Sequence, residues 1–186
     1  MANLNAPHGF RPTGGLLHSK MYKIADTYAT ALYIGDPVVR DASGDIVIAT
    51  AGAGNYILGV ALGFFDTSFA PLTHPYYVAS TAGVHYCLVA DHPEQYYEVQ
   101  DDGTVTQLAL VDLGALVNLI LTHGGSTTTG LSGAEIDSSS QGTGATQQFR
   151  LMDIYRDVNN AIGANCRWQV KIAYLQGAPV AVGVGI

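Results

Sequence analysis

Between Ala31 and Ala49 the chain reads ALYIGDPVVRDASGDIVIA. Short apolar, β-prone runs alternate here with turn residues: Leu32-Tyr33-Ile34, Gly35-Asp36-Pro37, Val38-Val39, Asp41 to Asp45, then Ile46-Val47-Ile48. Ser43 and Gly44 supply the freedom that a reversal needs, so the spacing predicts an antiparallel hairpin with a loop of about three to five residues.

Working outward, the same grammar continues. Tyr56 to Phe65 (YILGVALGFF) is strand-like, with Gly59 and Gly63 placed to allow a bulge or bend where a strand wraps a barrel corner. Further strands are predicted at Tyr76 to Ala79, Val84 to Ala90, Gln95 to Gln100 and Val105 to Leu110, with Asp101-Asp102-Gly103 turning the last pair. The clearest alternation lies near the C-terminus, where Cys166, Trp168, Val170, Ile172 and Tyr174 share one face and Arg167, Gln169 and Lys171 the other. Gln148 to Tyr155 is expected to pair with it across Asn159-Asn160 to Gly163. Leu108 to Leu121 is ambiguous between a short helix and two strands, with strand favoured after Gly114. Turn signals about every ten residues favour a barrel or sandwich, an all-β fold.

Composition bounds the partners. At 186 residues and 19.5 kDa, one domain buries roughly 70% of the surface of its unfolded chain. Charged residues are only 12% against 48% hydrophobic, about half the usual charged share of ~25%. So few solvated charges imply that part of the surface is covered by association. A net charge of −7, with eight scattered Lys and Arg, cannot build the basic footprint that nucleic acid requires. No apolar run approaches the ~20 residues that cross a bilayer, and Met1 to Arg11 lacks the features of a signal peptide, so neither membrane nor secretion is expected. Cys87 and Cys166 fall in separate strand-like runs and read as buried free thiols rather than a disulfide.

Three segments lie outside the strand pattern. Residues 1–15, with Pro7, Pro12 and several glycines, read as an extended N-terminal arm, anchored on itself or a neighbour by Phe10, Arg11 and Pro12. Gly124 to Thr146 (GGSTTTGLSGAEIDSSSQGTGAT) reads as a long functional loop in which Leu131 and Ile136 are the contact residues. After Pro179, Val180, Val182, Val184 and Ile186 alternate with small residues. This tail, 177–186, is expected to add as a strand to its own sheet or to a neighbouring subunit. The remaining 16–176 is read as a single β-rich domain.

Catalytic signatures are weak. His85, Cys87 and His92 lack the convergent partners that zinc needs, and they read as ordinary strand residues; no metal or cofactor is expected. Gly130-Leu131-Ser132-Gly133-Ala134 lacks the final glycine of a nucleophile elbow. Asp101-Asp102-Gly103 is better read as a turn than a calcium loop. With no acid, base and nucleophile set, an enzyme is not expected. Tyr76-Tyr77 and Tyr96-Tyr97 could offer platforms to a sugar, although in a strand one member of each pair faces inward.

Several patches together resemble one family: ANLNAPHGFRP (Ala2 to Pro12), IGDPV (Ile34 to Val38), ILGV (Ile57 to Val60), STTTGLSGAEID (Ser126 to Asp137) and NNAIGANCRWQVKI (Asn159 to Ile172). In this order they are similar to small head proteins of tailed bacteriophages, the capsid decoration or cement subunits. The resemblance implies a β-barrel or jelly-roll-like body that is made in the host cytoplasm. It would sit on the capsid exterior as a homodimer or homotrimer and tie neighbouring subunits of the major capsid protein together. The apolar tail is not part of the pattern. The alternative is a tail- or fibre-associated β protein that binds host glycan, which saturable sugar binding would distinguish.

Overall fold

The computed structural model describes residues 3–104 and 106–177. Its strands, in chain order, are β1 (Arg11–Thr13), β2 (Lys20–Lys23), β3 (Pro37–Arg40), β4 (Ile46–Ile48), β5 (Gly59–Phe65), β6 (Tyr86–Ala90), β7 (Tyr96–Gln100), β8 (Leu116–Ile120), β9 (Glu135–Gly142), β10 (Phe149–Ile154) and β11 (Arg167–Ile172). They form a six-stranded sheet, β1-β7-β11-β10-β8-β9, and a five-stranded sheet, β2-β6-β5-β3-β4. Every ladder between named strands is antiparallel.

No closed barrel forms, which corrects that half of the sequence reading. Each sheet curls back towards its far edge. Asp101, just past β7, makes a single parallel bridge to Ile136 of β9, and Ile24, just past β2, makes one to Ile46 of β4. The first contact stops there because the chain turns away, its turn closed by Gly103 N–H donating to Asp101 Oδ1 at 3.1 Å. One bridge does not make a ladder.

Two cores result, on opposite faces of the same strands. The paired residues Val60 and Ala90 face a core built around Trp168, Phe149 and Tyr97. The next pair, Ala61 and Val89, faces a core with Leu32, Val38, Ile46 and Tyr77. Both faces of β5 are covered at this point, which explains its near-continuous apolar run. Gly59 is required there: a Cβ would lie 2.2 Å from the Ala90 carbonyl oxygen. The expected irregularity in this strand is a register shift between Ala61 and Gly63.

The hairpin read from the opening stretch is β3–β4, with Val38 opposite Ile48 and Arg40 opposite Ile46. Asp41 Oδ1 accepts from Ser43 N–H and Asp45 N–H, so one carboxylate closes the loop. The terminal pair is β10–β11, and Trp168 is fully buried. Other readings are corrected. Tyr76 to Ala79 is not a strand but a lone bridge from Tyr77 to Leu32. Asp101-Asp102-Gly103 turns no hairpin, because no strand comes after it: the described part of 105–110 is irregular and leads into one 3₁₀ turn, Leu110–Asp112. Strand does begin after Gly114, as β8.

Gly124 to Thr146 is not one long loop. Its second half is β9, where Glu135, Ile136 and Ser138 are buried. Beyond Ile136, hydroxyls rather than apolar side chains hold this strand. Ser138 Oγ and N–H donate to Asp102 Oδ1 at 2.6 and 3.2 Å, and Ser140 Oγ accepts from Asn118 N–H at 2.8 Å. A run of serines carries no period-2 apolar signal, so the pattern conceals it.

Just before β3, Asp36 is 3% exposed, and its carboxylate accepts Tyr33 N–H at 2.7 Å. Burial raises its pKa to about 6, only partly offset by the Ser132 hydroxyl and the Tyr33 amide. The native state therefore holds this proton more tightly than the unfolded chain, so stability from this group falls as pH rises from about 4 to about 6. Asp36→Asn is expected to raise stability at pH 7.5 by up to about 3 kcal/mol. Little change is expected at pH 4. Urea titrations at both pH values would check it, and an equal gain at each would refute it.

Candidate interaction surface

The N-terminal segment is docked along the chain's own six-stranded sheet. Pro7 and the glycines keep it extended, and β1 pairs antiparallel with β7, Arg11 opposite Glu98 and Thr13 opposite Tyr96. Phe10 is 1% exposed, stacked on Phe149 at 4.5 Å and edge-on to Tyr97 at 6.5 Å. As an interface candidate it is corrected: it is a core residue of its own chain. Ile136 is corrected likewise, being fully buried in the same core. The reason is common to both, since each is a large apolar side chain in a polar or turn-rich neighbourhood that folds inward.

Polar clasps complete the docking. Asn3 Nδ2 donates to the carbonyls of Ala161 and Ala164 at 2.7 and 3.0 Å, and Asn3 Oδ1 accepts Ala161 N–H at 2.9 Å. Gln100 is the hub beneath. Its Oε1 accepts Ala6 N–H at 3.1 Å, while its Nε2 donates to Asn5 Oδ1 at 3.1 Å and to buried Glu135 Oε1 at 3.3 Å. The other Glu135 oxygen lies 2.6 Å from His123 Nδ1, and burial raises the Glu135 pKa despite that partner.

Beside this hub, Glu98 accepts Arg167 Nη1 at 2.9 Å and lies 3.4 Å from His8 Nε2. Burial alone would raise its pKa, but His8 and Arg167 outweigh burial and hold the carboxyl below its usual range. Arg167 Nη2 also donates to Asp157 at 2.5 Å, tying the β10–β11 loop to the same group.

The remaining sequence candidates scatter. Arg11 is exposed and Pro12 half-buried. Leu131 is half-buried at the end of a tight turn closed by Gly130 N–H to the Ser126 carbonyl at 2.7 Å. Val180, Val182, Val184 and Ile186 lie outside the described residues.

What pattern reading missed is a set of solvated apolar side chains on connecting segments. Val158 is 95% exposed, Val111 87% and Leu4 80%, with Leu16, Leu17, Leu110 and Ile162 about half exposed. Leu4 belongs to the N-terminal segment, and Val158 and Ile162 to the β10–β11 loop against which that segment is docked: Asn3 is clasped to Ala161, and Leu4 shares a cavity wall with Asn159 and Asn160. Each stands alone among polar residues and glycine, as in Asp157-Val158-Asn159-Asn160, so no periodicity marks it. The available signal was an apolar residue with no strand to belong to.

Among the other motifs, Tyr77 and Tyr97 are buried, while Tyr76 stacks on Tyr33 at 5.2 Å. Cys87 and Cys166 sit in different cores, and burial pushes both thiols well above their usual range. Ser132 is buried, its hydroxyl accepting Ala134 N–H at 2.9 Å. Among the described residues no three His, Cys, Asp or Glu side chains converge as a metal ion would need, and no helix is long and apolar enough to cross a membrane. Compared with protein-family models, curated proteins and solved structures, the chain finds no match.

Proposed function

We propose that the protein is a structural subunit of a virion. In this reading it binds the outside of an assembled phage capsid and bridges neighbouring subunits of the major capsid protein. The observation that carries the reading is the exposed apolar set on the connecting segments, above all Leu4, Val158 and Ile162 around the docked N-terminal segment. Leaving a large aliphatic side chain in water forgoes about 1.5–3 kcal/mol relative to burying it. Isolated cases are ordinary, but several on two adjoining segments of a chain this poor in charge suit a surface that is covered in use.

The acidic balance supports an outer position, away from packaged nucleic acid. Sequence patches similar to decoration proteins support the same placement. A docked arm and two filled cores make a rigid body whose loops meet the lattice, so little ordering entropy is spent on binding. Many weak copies would then stabilise the shell by mass action on its assembled state.

The test is to image purified capsids with and without the protein and to heat both preparations. Bare shells are expected to release DNA at lower temperature. The double variant Leu4→Asp, Val158→Asp is expected to fold normally, since both positions are solvated. It should bind capsids roughly 30-fold more weakly, the loss of about 2 kcal/mol at a contact centre. Undiminished binding by the folded variant would move the interface elsewhere, and no binding by the native protein would end the reading.

A further inference from the structure

We propose that the seam between the N-terminal segment and the β10–β11 loop is a binding site for a carboxylate group. The two pieces of chain line a cleft of ≈ 270 Å³, to which His8, Arg11, Gln100, Asn159, Asn165 and Arg167 contribute. That space exceeds the ~30 Å³ share of a single water several-fold.

The leftover polar atoms decide the ligand. Two acceptors on this wall are already engaged: Gln100 Oε1 takes Ala6 N–H at 3.1 Å, and Asn165 Oδ1 takes Gln100 Nε2 at 3.5 Å. Donors are not. Among the described residues the Arg11 guanidinium is in no ion pair. The Asn159 amide and Asn165 Nδ2 likewise make no hydrogen bond there. His8 is the sharpest case: it is 7% exposed, yet neither ring nitrogen makes a hydrogen bond. Its Nε2 lies 3.4 Å from Glu98 Oε1 but is not aligned for a hydrogen bond.

A buried imidazole without a partner is costly and marks a place where one is supplied. The wall thus offers a fork of guanidinium donors and amide donors, beside a ring with an unused nitrogen, to a ligand that accepts. An ionised carboxylate has that character, and it suits Arg11 in bidentate fashion. Charge selects further. Arg167 is already paired with Glu98 and Asp157, which leaves Arg11 as the unpaired guanidinium of the wall among the described residues, a match for a monoanion rather than a phosphate dianion. The site shares its seam with Leu4 of the capsid reading, but its test reads carboxylate binding alone, so the two can fail separately.

The experiment is a side-chain NMR titration of the ¹⁵N-labelled full chain, following Arg11 Nε–H and the Asn159 and Asn165 amides. The probes are acetate, its neutral isostere acetamide, inorganic phosphate, and the blocked peptide acetyl-Gly-Glu-Gly-amide. Saturable shifts with acetate or the peptide, and none with acetamide, are expected. Arg11→Gln, an exposed replacement, should weaken them about tenfold, the loss of one charge-assisted contact. Tighter binding of the peptide would identify the source as an acidic side chain of a partner protein, and tighter binding of acetate a free carboxylate. Acetamide or phosphate matching acetate, or Arg11→Gln binding acetate undiminished, would overturn the proposal. Asn159→Ala supplies a second variant should Arg11→Gln disturb β1.

Discussion

Phe10→Ala is expected to lower stability by about 3–5 kcal/mol and to free the N-terminal segment in the same step. The ring is enclosed between Phe149 and Tyr97, in a core that already holds Trp168 and Val170, so its removal leaves a cavity no neighbour can fill without moving a strand. The backbone beside it cannot compensate. Gly9 has φ +70° and a Cβ there would lie 2.6 Å from the Ser132 side chain, so the approach to Phe10 has a single conformation. Phe10 N–H donates to the Gly35 carbonyl at 2.9 Å, which makes its amide a reporter. Hydrogen exchange at Phe10 and Ala6 should accelerate to the rate of a frayed end, while Arg11→Ala changes stability by less than about 0.5 kcal/mol. Stability within about 1 kcal/mol of native for Phe10→Ala would show that the segment is held by its polar clasps alone.

Trp168→Ala is expected to cost more, about 5 kcal/mol or above, because it joins a large cavity to a stranded carboxylate. The indole Nε1–H donates to Asp101 Oδ2 at 3.0 Å, and Asp101 is 1% exposed. Burial raises the Asp101 pKa, held back by hydrogen bonds from Trp168, Gly103 and Asn165. Trp168→Phe separates the two effects, keeping most of the packing and deleting the donor. Asp101 would then rise further, so the variant's deficit is expected at neutral pH and should shrink as the solution is acidified through the range where the carboxyl gains its proton. Denaturation curves at pH 7 and pH 4 would measure it. A deficit independent of pH would mean that Asp101 finds another donor.

Legibility followed the local physics of each segment. The β3–β4 hairpin and the β10–β11 pair could be read because their apolar residues and turn residues act over a few positions. Trp168, Val170 and Ile172 alternate in the chain and face one core in the fold. β9 escaped notice because Ser138 and Ser140 are partnered by Asp102 and Asn118, far away in sequence. The stretch from Val105 to Leu110 failed in the opposite direction: it has strand-like residues but, where described, no partner strand to pair with. The candidate surface was half visible. Arg11 was singled out by its setting and is exposed, whereas Leu4, Val158 and Ile162 have no periodicity to give them away.

From the order of its residues alone, this chain is determined to be all-β, antiparallel in its hairpins, acidic and thinly charged, because those properties follow from composition and from contacts between near neighbours. Tertiary structure alone decided that the sheets stay open, that Phe10 and Ile136 turn inward, and that His8 is buried beside Glu98 without a hydrogen bond. Each of these depends on which distant strand arrives alongside, and the free energy of burial is settled by that arrival rather than by any window of neighbouring residues.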